Sequence, residues 1–337
     1  MKFVLLTMLL AMWVPCCGAQ AEQQEVKHHG MMHAMDMQHS ASKTARLWIS
    51  NDAAAREMTI RVGPVSLPAH TGHRSVAQPR TFFLTIPFDG WLTAYHPRVT
   101  NARGQRLPNQ LLHHAAFYNI ARRDLLCANR QEHIFGAGGE MTDWPLVPGF
   151  GYHVKKGDRI RITTMFVNPT NKTYPKAFLE VRIDYRIAQS GSNGPKNVYP
   201  VWFDVAGCGN SSYNLPPGES TKTGKFKLRY SGRLLAVGGH LHDYGQWLVL
   251  KDATSNETIA SLEANANASG HVLSMPIVSF ANHGGYSLHR GDVIKVTDAY
   301  NNPRGKSISD GAMGIAVGYF LPDHEAALRT LRRPSGR

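Results

Sequence analysis

Two histidines separated by one residue, His240 and His242, close the apolar run Ala236-Val237-Gly238-Gly239. Residues two apart on a strand share a face, so these imidazoles can chelate one ion. Imidazole serves copper, zinc, iron and nickel, so the pair alone does not name the metal. The plainer reading, two histidines on a solvent face, leaves the apolar approach unexplained. A second pair, His113-His114, follows Leu111-Leu112. Adjacent strand residues face opposite sides, so both can be ligands only at a bulge or a strand end. Otherwise one enters the core and the other faces water. A third group, His28, His29, Met31, Met32, His33, Met35, Met37 and His39, mixes imidazole with thioether. Sulfur selects Cu(I) and imidazole also holds Cu(II), so this tract is expected to contact copper in either oxidation state.

The elements that must position these residues read as strands. Short apolar or alternating runs recur at Thr81–Ile86, Ala115–Ile120, Arg159–Val167, Phe178–Ile187, Leu234–His240, Trp247–Leu250, Val293–Thr297 and Ile315–Phe320, separated by Gly, Pro and Asn. That texture predicts an all-β chain of antiparallel sandwiches or barrels. Only Asp323–Arg333, after Pro322, has a helical pattern. A chain of 337 residues exceeds one comfortable core. The Ser, Gly, Asn and Pro of residues 188–200 mark the natural join. The expected organisation is residues 46–187, the join at 188–200, residues 201–322, and a basic tail at 323–337.

Residues 1–21 have a Lys2 start, an apolar stretch from Val4 to Val14 and a small-residue end at Ala19-Gln20-Ala21. This predicts a secretory signal and export, to a periplasm or outside the cell. Pro15 or Cys16 directly before the acceptor fits a lipoprotein signal poorly, so soluble export is preferred. Residues 22–45 lack a periodic apolar face and are expected to be disordered. Cys127 and Cys208 would remain after cleavage, either bridged or as two buried thiols. Asn171, Asn210, Asn256 and Asn267 begin glycosylation sequons, which commonly arise by chance. The formal charge of +13 is scattered, without a basic stripe carrying aromatics, so nucleic acid is not expected as a partner. No later segment has the length of a transmembrane helix.

In their order, these features resemble the copper type II, ascorbate-dependent monooxygenases, the family of peptidylglycine α-hydroxylating monooxygenase and dopamine β-monooxygenase. Thr81–Pro87 resembles the family's entry strand, and Leu112-His113-His114-Ala115 its paired-histidine strand. Gly136–Glu140 through Pro148–Gly151 resembles its glycine-rich connection. Leu215-Pro216-Pro217-Gly218-Glu219 leads into the His-x-His strand, and Asp310-Gly311-Ala312-Met313 opens the last one. The match runs over residues 80–322. It implies two jelly-roll-like β-sandwich domains facing each other across a cleft. His113 and His114 would hold an electron-transfer copper. His240, His242 and Met313 would hold the copper that activates O2, with ascorbate or another donor supplying electrons.

Departures from the pattern shape the expected function. Asn168 stands where the family has the third electron-transfer histidine, and asparagine is a poor copper ligand beside imidazole. His133 and His153 are candidate substitutes. Gly238 and Val317 replace an arginine and a tyrosine of the peptide hydroxylase, so amidation of glycine-extended peptides is not expected. Asp243 and Tyr244 are either supports for the imidazoles or ordinary turn residues. The sequence thus predicts a copper monooxygenase of unidentified substrate, with copper buffering or transfer on the same fold as the alternative.

Overall fold

The computed structural model describes residues 42–331, apart from 141, 142, 144–146, 190 and 192. Residues 1–41, with the expected signal and the His/Met tract from His28 to His39, lie outside the described residues, as do 332–337. The regular structure of the described chain is almost wholly strand, as its alternating runs require. The expected tail helix is instead a 3-10 segment, Glu325–Leu331.

The first half builds two sheets. One has the order Arg46–Asp52, Glu57–Leu67, Tyr174–Ile187, Gly90–Thr100, Phe150–Val154, Lys196–Asn197, and the other Phe82–Thr85, Arg159–Phe166, Leu112–Arg123, Gln131–Gly138. All pairings are antiparallel except the last of the first sheet, which draws part of the expected linker alongside Phe150–Val154. Inward residues of both sheets, including Ile60, Val62, Leu179, Val181, Phe117, Ile160 and Ile162, fill one apolar cluster. The second half repeats the plan. Tyr199–Asp204, Gly314–Pro322, Gly232–Leu241 and Ile277–Ser279 form one sheet, which faces Gly218–Lys227, Val293–Asn302, Gly245–Asp252 and Glu257–Glu263 across a second cluster.

The strands Gly232–Leu241 and Gly314–Pro322 pair in the middle of the molecule and are buried on both sides. Their side chains divide with period two. Met313, Ile315 and Val317 join the first cluster, while Ala312, Ala316 and Phe320 join the second. Ala236 also joins the first cluster, and His240 pairs with Ile315. His240 therefore sits on the face turned towards the first half. Trp202, paired with Val317 on that face, leans onto Gly136 so closely that a Cβ there would overlap its ring.

Both halves turn one corner in the same way. Asn168, fully buried, donates from Nδ2 to the carbonyls of Leu67, Pro68 and Lys172, at 2.8–2.9 Å. Asn302 donates to the carbonyls of Leu215, Pro216 and Lys306. Each corner reads Leu-Pro against Asn-Pro-x-x-Lys. The chain between the Leu and the Asn differs, 101 positions against 87, so no fixed period betrays the correspondence.

Cys127 and Cys208 form a disulfide across a separation of 81 residues. Cys127 follows a first-half strand yet packs in the second cluster, so the bond ties the halves together. Disulfides typically contribute about 2–4 kcal/mol. The Cys127→Ser/Cys208→Ser double variant should lose that much in guanidinium unfolding relative to the oxidised protein.

Candidate metal centre

His113 and His114 open the strand Leu112–Arg123, and its pairing with Arg159–Phe166 shifts register between Leu112 and His114. This is the bulge at a strand end that two adjacent ligands require. Both rings are half-buried and turn to the same place. There they meet His242, which follows the central strand Gly232–Leu241. One ring nitrogen from each of the three lies within 4.8 Å of the others. Ring centroids are 4.8 Å apart for His113–His114, 4.7 Å for His113–His242 and 5.4 Å for His240–His242. An ion about 2.0 Å from an imidazole nitrogen would set neighbouring centroids roughly 4.4–5.4 Å apart. The observed spacings match that requirement. Histidines that the resemblance assigns to two sites thus converge in one, with ligands from both halves.

Met313 is positioned through its backbone. The buried Tyr300 hydroxyl donates to the Met313 carbonyl at 2.7 Å and accepts from the N–H groups of His242, at 3.0 Å, and Met313, at 3.1 Å. One phenol therefore clips the two chain segments to each other. The Met313 side chain is buried on the face shared with Ile315.

The imidazoles are prepared as ligands. The Nδ1 of His240 donates to a carboxylate oxygen of Glu140, which leaves the Nε2 lone pair for another partner. That Nε2 and the Nε2 of His242 are buried without a hydrogen-bond partner among the described residues. Buried polar atoms are ordinarily paired, and a metal ion is what would pair these. These imidazoles with open lone pairs fit copper, whereas Met313 packs in the first cluster and does not line the cavity. Burial foremost, then neighbouring histidines, holds the His113, His114 and His242 rings well below the usual histidine range. They stay neutral, as ligation demands.

The sequence reading missed several parts of this site. Glu140 lies 100 residues from His240 and reaches it through the glycine-rich connection, where a Cβ at Gly138 would overlap its carboxylate. His73, from the turn His73–Ser75, lies parallel to His113 with centroids 4.7 Å apart. His271 donates from Nδ1 to Asp243 at 2.6 Å, and this bond foremost raises its pKa. Asp243 thus orients His271 rather than a residue of the His-x-His pair, and Tyr244 accepts a hydrogen bond from Arg304. His133 contacts Asp124 and Trp202, and His153 lies against Trp91, so the two candidate substitutes are engaged elsewhere. His73, His113, Glu140, His240, His242, Asp243 and His271 all line one cavity of about 460 Å³.

Two curated fungal proteins share this chain's sequence at 25% identity. "Probable copper-dependent oxygenase clz3" of Cochliobolus lunatus aligns over 245 residues, 67% of this chain and 76% of its own length. "Probable copper-dependent oxygenase M1" of a Phoma species aligns over 234 residues, 62% of this chain and 57% of its own length. No family model matches. Among solved structures, the glycosylasparaginase PNGase F of Flavobacterium meningosepticum superposes with a TM-score of 0.40 at 9% identity, covering 80% of this chain and 96% of that one. A score that low carries no functional argument.

The Glu140→Gln variant should bind copper about 10–100-fold more weakly while keeping its fold, measured by competition with a chromophoric chelator and by circular dichroism. In metal-free protein, the ring nitrogens of His113, His114 and His242 should keep neutral NMR shifts from pH 7.5 to 5.5. Their depressed pKa values contribute stability that is present above about pH 6.5 and lost as pH falls. Burial pushes Glu132 up to about 7 and Asp298 up to about 6, and these act in the opposite direction. Ring shifts, not the net unfolding curve, are the readout.

Proposed function

We propose that this chain is an exported copper-dependent oxygenase that hydroxylates a C–H bond of a small organic or peptide substrate in the cavity at the seam of its two halves. The observation that carries the reading is the convergence of imidazoles from both halves on one cavity, two of them with buried open lone pairs. The names of the two fungal relatives support copper and oxygen as the chemistry. The order of motifs supports the finer relation to the ascorbate-dependent monooxygenases. It also supports a division into domains at 46–187 and 201–322, joined by 188–200. The disulfide and the signal-like start support export.

In this reading His113, His114, His240 and His242 hold copper, and Met313 supplies a soft sulfur that favours Cu(I). Bound copper would supply one-electron redox steps, so that the substrate C–H, O2, two electrons and two protons give an alcohol and water. Glu140 fixes the tautomer of His240 and keeps its Nε2 aimed inward. Tyr300 holds the His242 and Met313 segments in register. The apolar seam excludes bulk water from the back of the site, while the cavity mouth admits substrate. Gly238 and Val317, paired on the first-half face, offer no charged or phenolic anchor. That supports a substrate other than a glycine-extended peptide.

The test loads the full protein with copper, adds ascorbate, and follows O2 consumption together with product from a panel of C–H substrates. Turnover dependent on reductant, reduced at least about 100-fold in His242→Ala and in Met313→Leu, is the expected result. Stable stoichiometric copper with no turnover on any substrate would favour a buffering or transfer protein instead.

A further inference from the structure

We infer that His73 is a further copper ligand of this chain, joining the converged site of His113, His114 and His242 in the role that the residue at position 168 does not take. The inference rests on the copper reading above and deepens it.

Asn168 is committed elsewhere. Its Nδ2 is spread over three carbonyls, and its Oδ1 accepts from the Thr170 N–H at 3.0 Å and the Thr170 hydroxyl at 2.8 Å. Asn302 satisfies the matching corner of the second half by the same donor pattern. Position 168 is therefore a structural corner, closed to a metal.

The segment beside it delivers an imidazole. Thr71 and Asn168 exchange both backbone hydrogen bonds, each at 2.8 Å, so the chain leaving Thr71 starts next to the expected ligand position. Two residues later it presents His73. Its ring lies parallel to that of His113 with a centroid separation of 4.7 Å, inside the range for neighbouring ligands of one ion. His73 lines the same cavity as His113 and His242. An ion bonds in the plane of each ring, so a face-to-face arrangement would require one ring to turn. The broad second torsion of histidine allows that turn at small cost.

The test compares wild type, His73→Ala, His73→Gln and, as a control, His113→Ala, each as full protein with Cu(II) as the probe. Affinity is read by competition and coordinated nitrogens by pulsed EPR, with circular dichroism confirming each fold. Loss of one imidazole coupling and at least tenfold of affinity in both His73 variants is expected. Partial return of the coupling to His73→Ala on adding free imidazole would support the assignment further. Wild-type copper binding with unchanged affinity and nitrogen count in both variants would overturn His73 alone. A wild-type protein that takes up no copper would overturn the copper reading, and His73 with it.

Discussion

The double burial of the central strand pair, Gly232–Leu241 with Gly314–Pro322, is the constraint on which the site depends. A strand with one wet face could turn its histidines to solvent, as the ordinary reading of His-x-His supposes. Here both faces are enclosed, so residues of alternate parity must serve two different cores. That parity turns His240 towards the first half, and His242 meets the strand carrying His113 and His114. A one-residue slip in register would send the histidines into the second core instead. Register is held by the length of the pairing and by the Tyr300 clip at its end. The Tyr300 hydroxyl bonds three backbone groups of this seam, and a buried backbone group left unpaired costs about 1–3 kcal/mol.

Much of this was legible in the residues. Alternation located the strands, because a half-buried strand must repeat every two residues. For His113-His114 the residues stated only a condition, that adjacent side chains meet one ion at a bulge or strand end, and left open whether it is met. His240 and His242 announced themselves by spacing. What stayed hidden depends on contacts between distant segments. Nothing local to Glu140 says that its carboxylate meets an imidazole 100 residues away. Nothing local to His73 says that its turn lies beside Asn168. Asp243, open in the sequence as a support for the imidazoles or an ordinary turn residue, stands in the turn after His242 and bonds His271. The proximity of the two expected sites was equally illegible, since it follows from how the halves pack.

Asn168 illustrates how a motif can mislead. As a position in a family pattern it reads as a lost ligand. As a side chain it is a corner post that spends every donor on backbone carbonyls, and Asn302 repeats the solution. Polar groups buried at a turn must be satisfied, and an amide does this better than an imidazole.

The disulfide between Cys127 and Cys208 gives the seam a further meaning. Ligands that sit on separate bodies must usually be gathered when the ion arrives, and the lost freedom weakens binding. Here that loss of freedom is incurred earlier, when the chain folds and its thiols oxidise. A metal ion held here would then meet a preorganised nest of donors, and loading would require small adjustments of rings rather than a search by whole domains. Oxidative maturation and readiness for metal become successive stages of one assembly line.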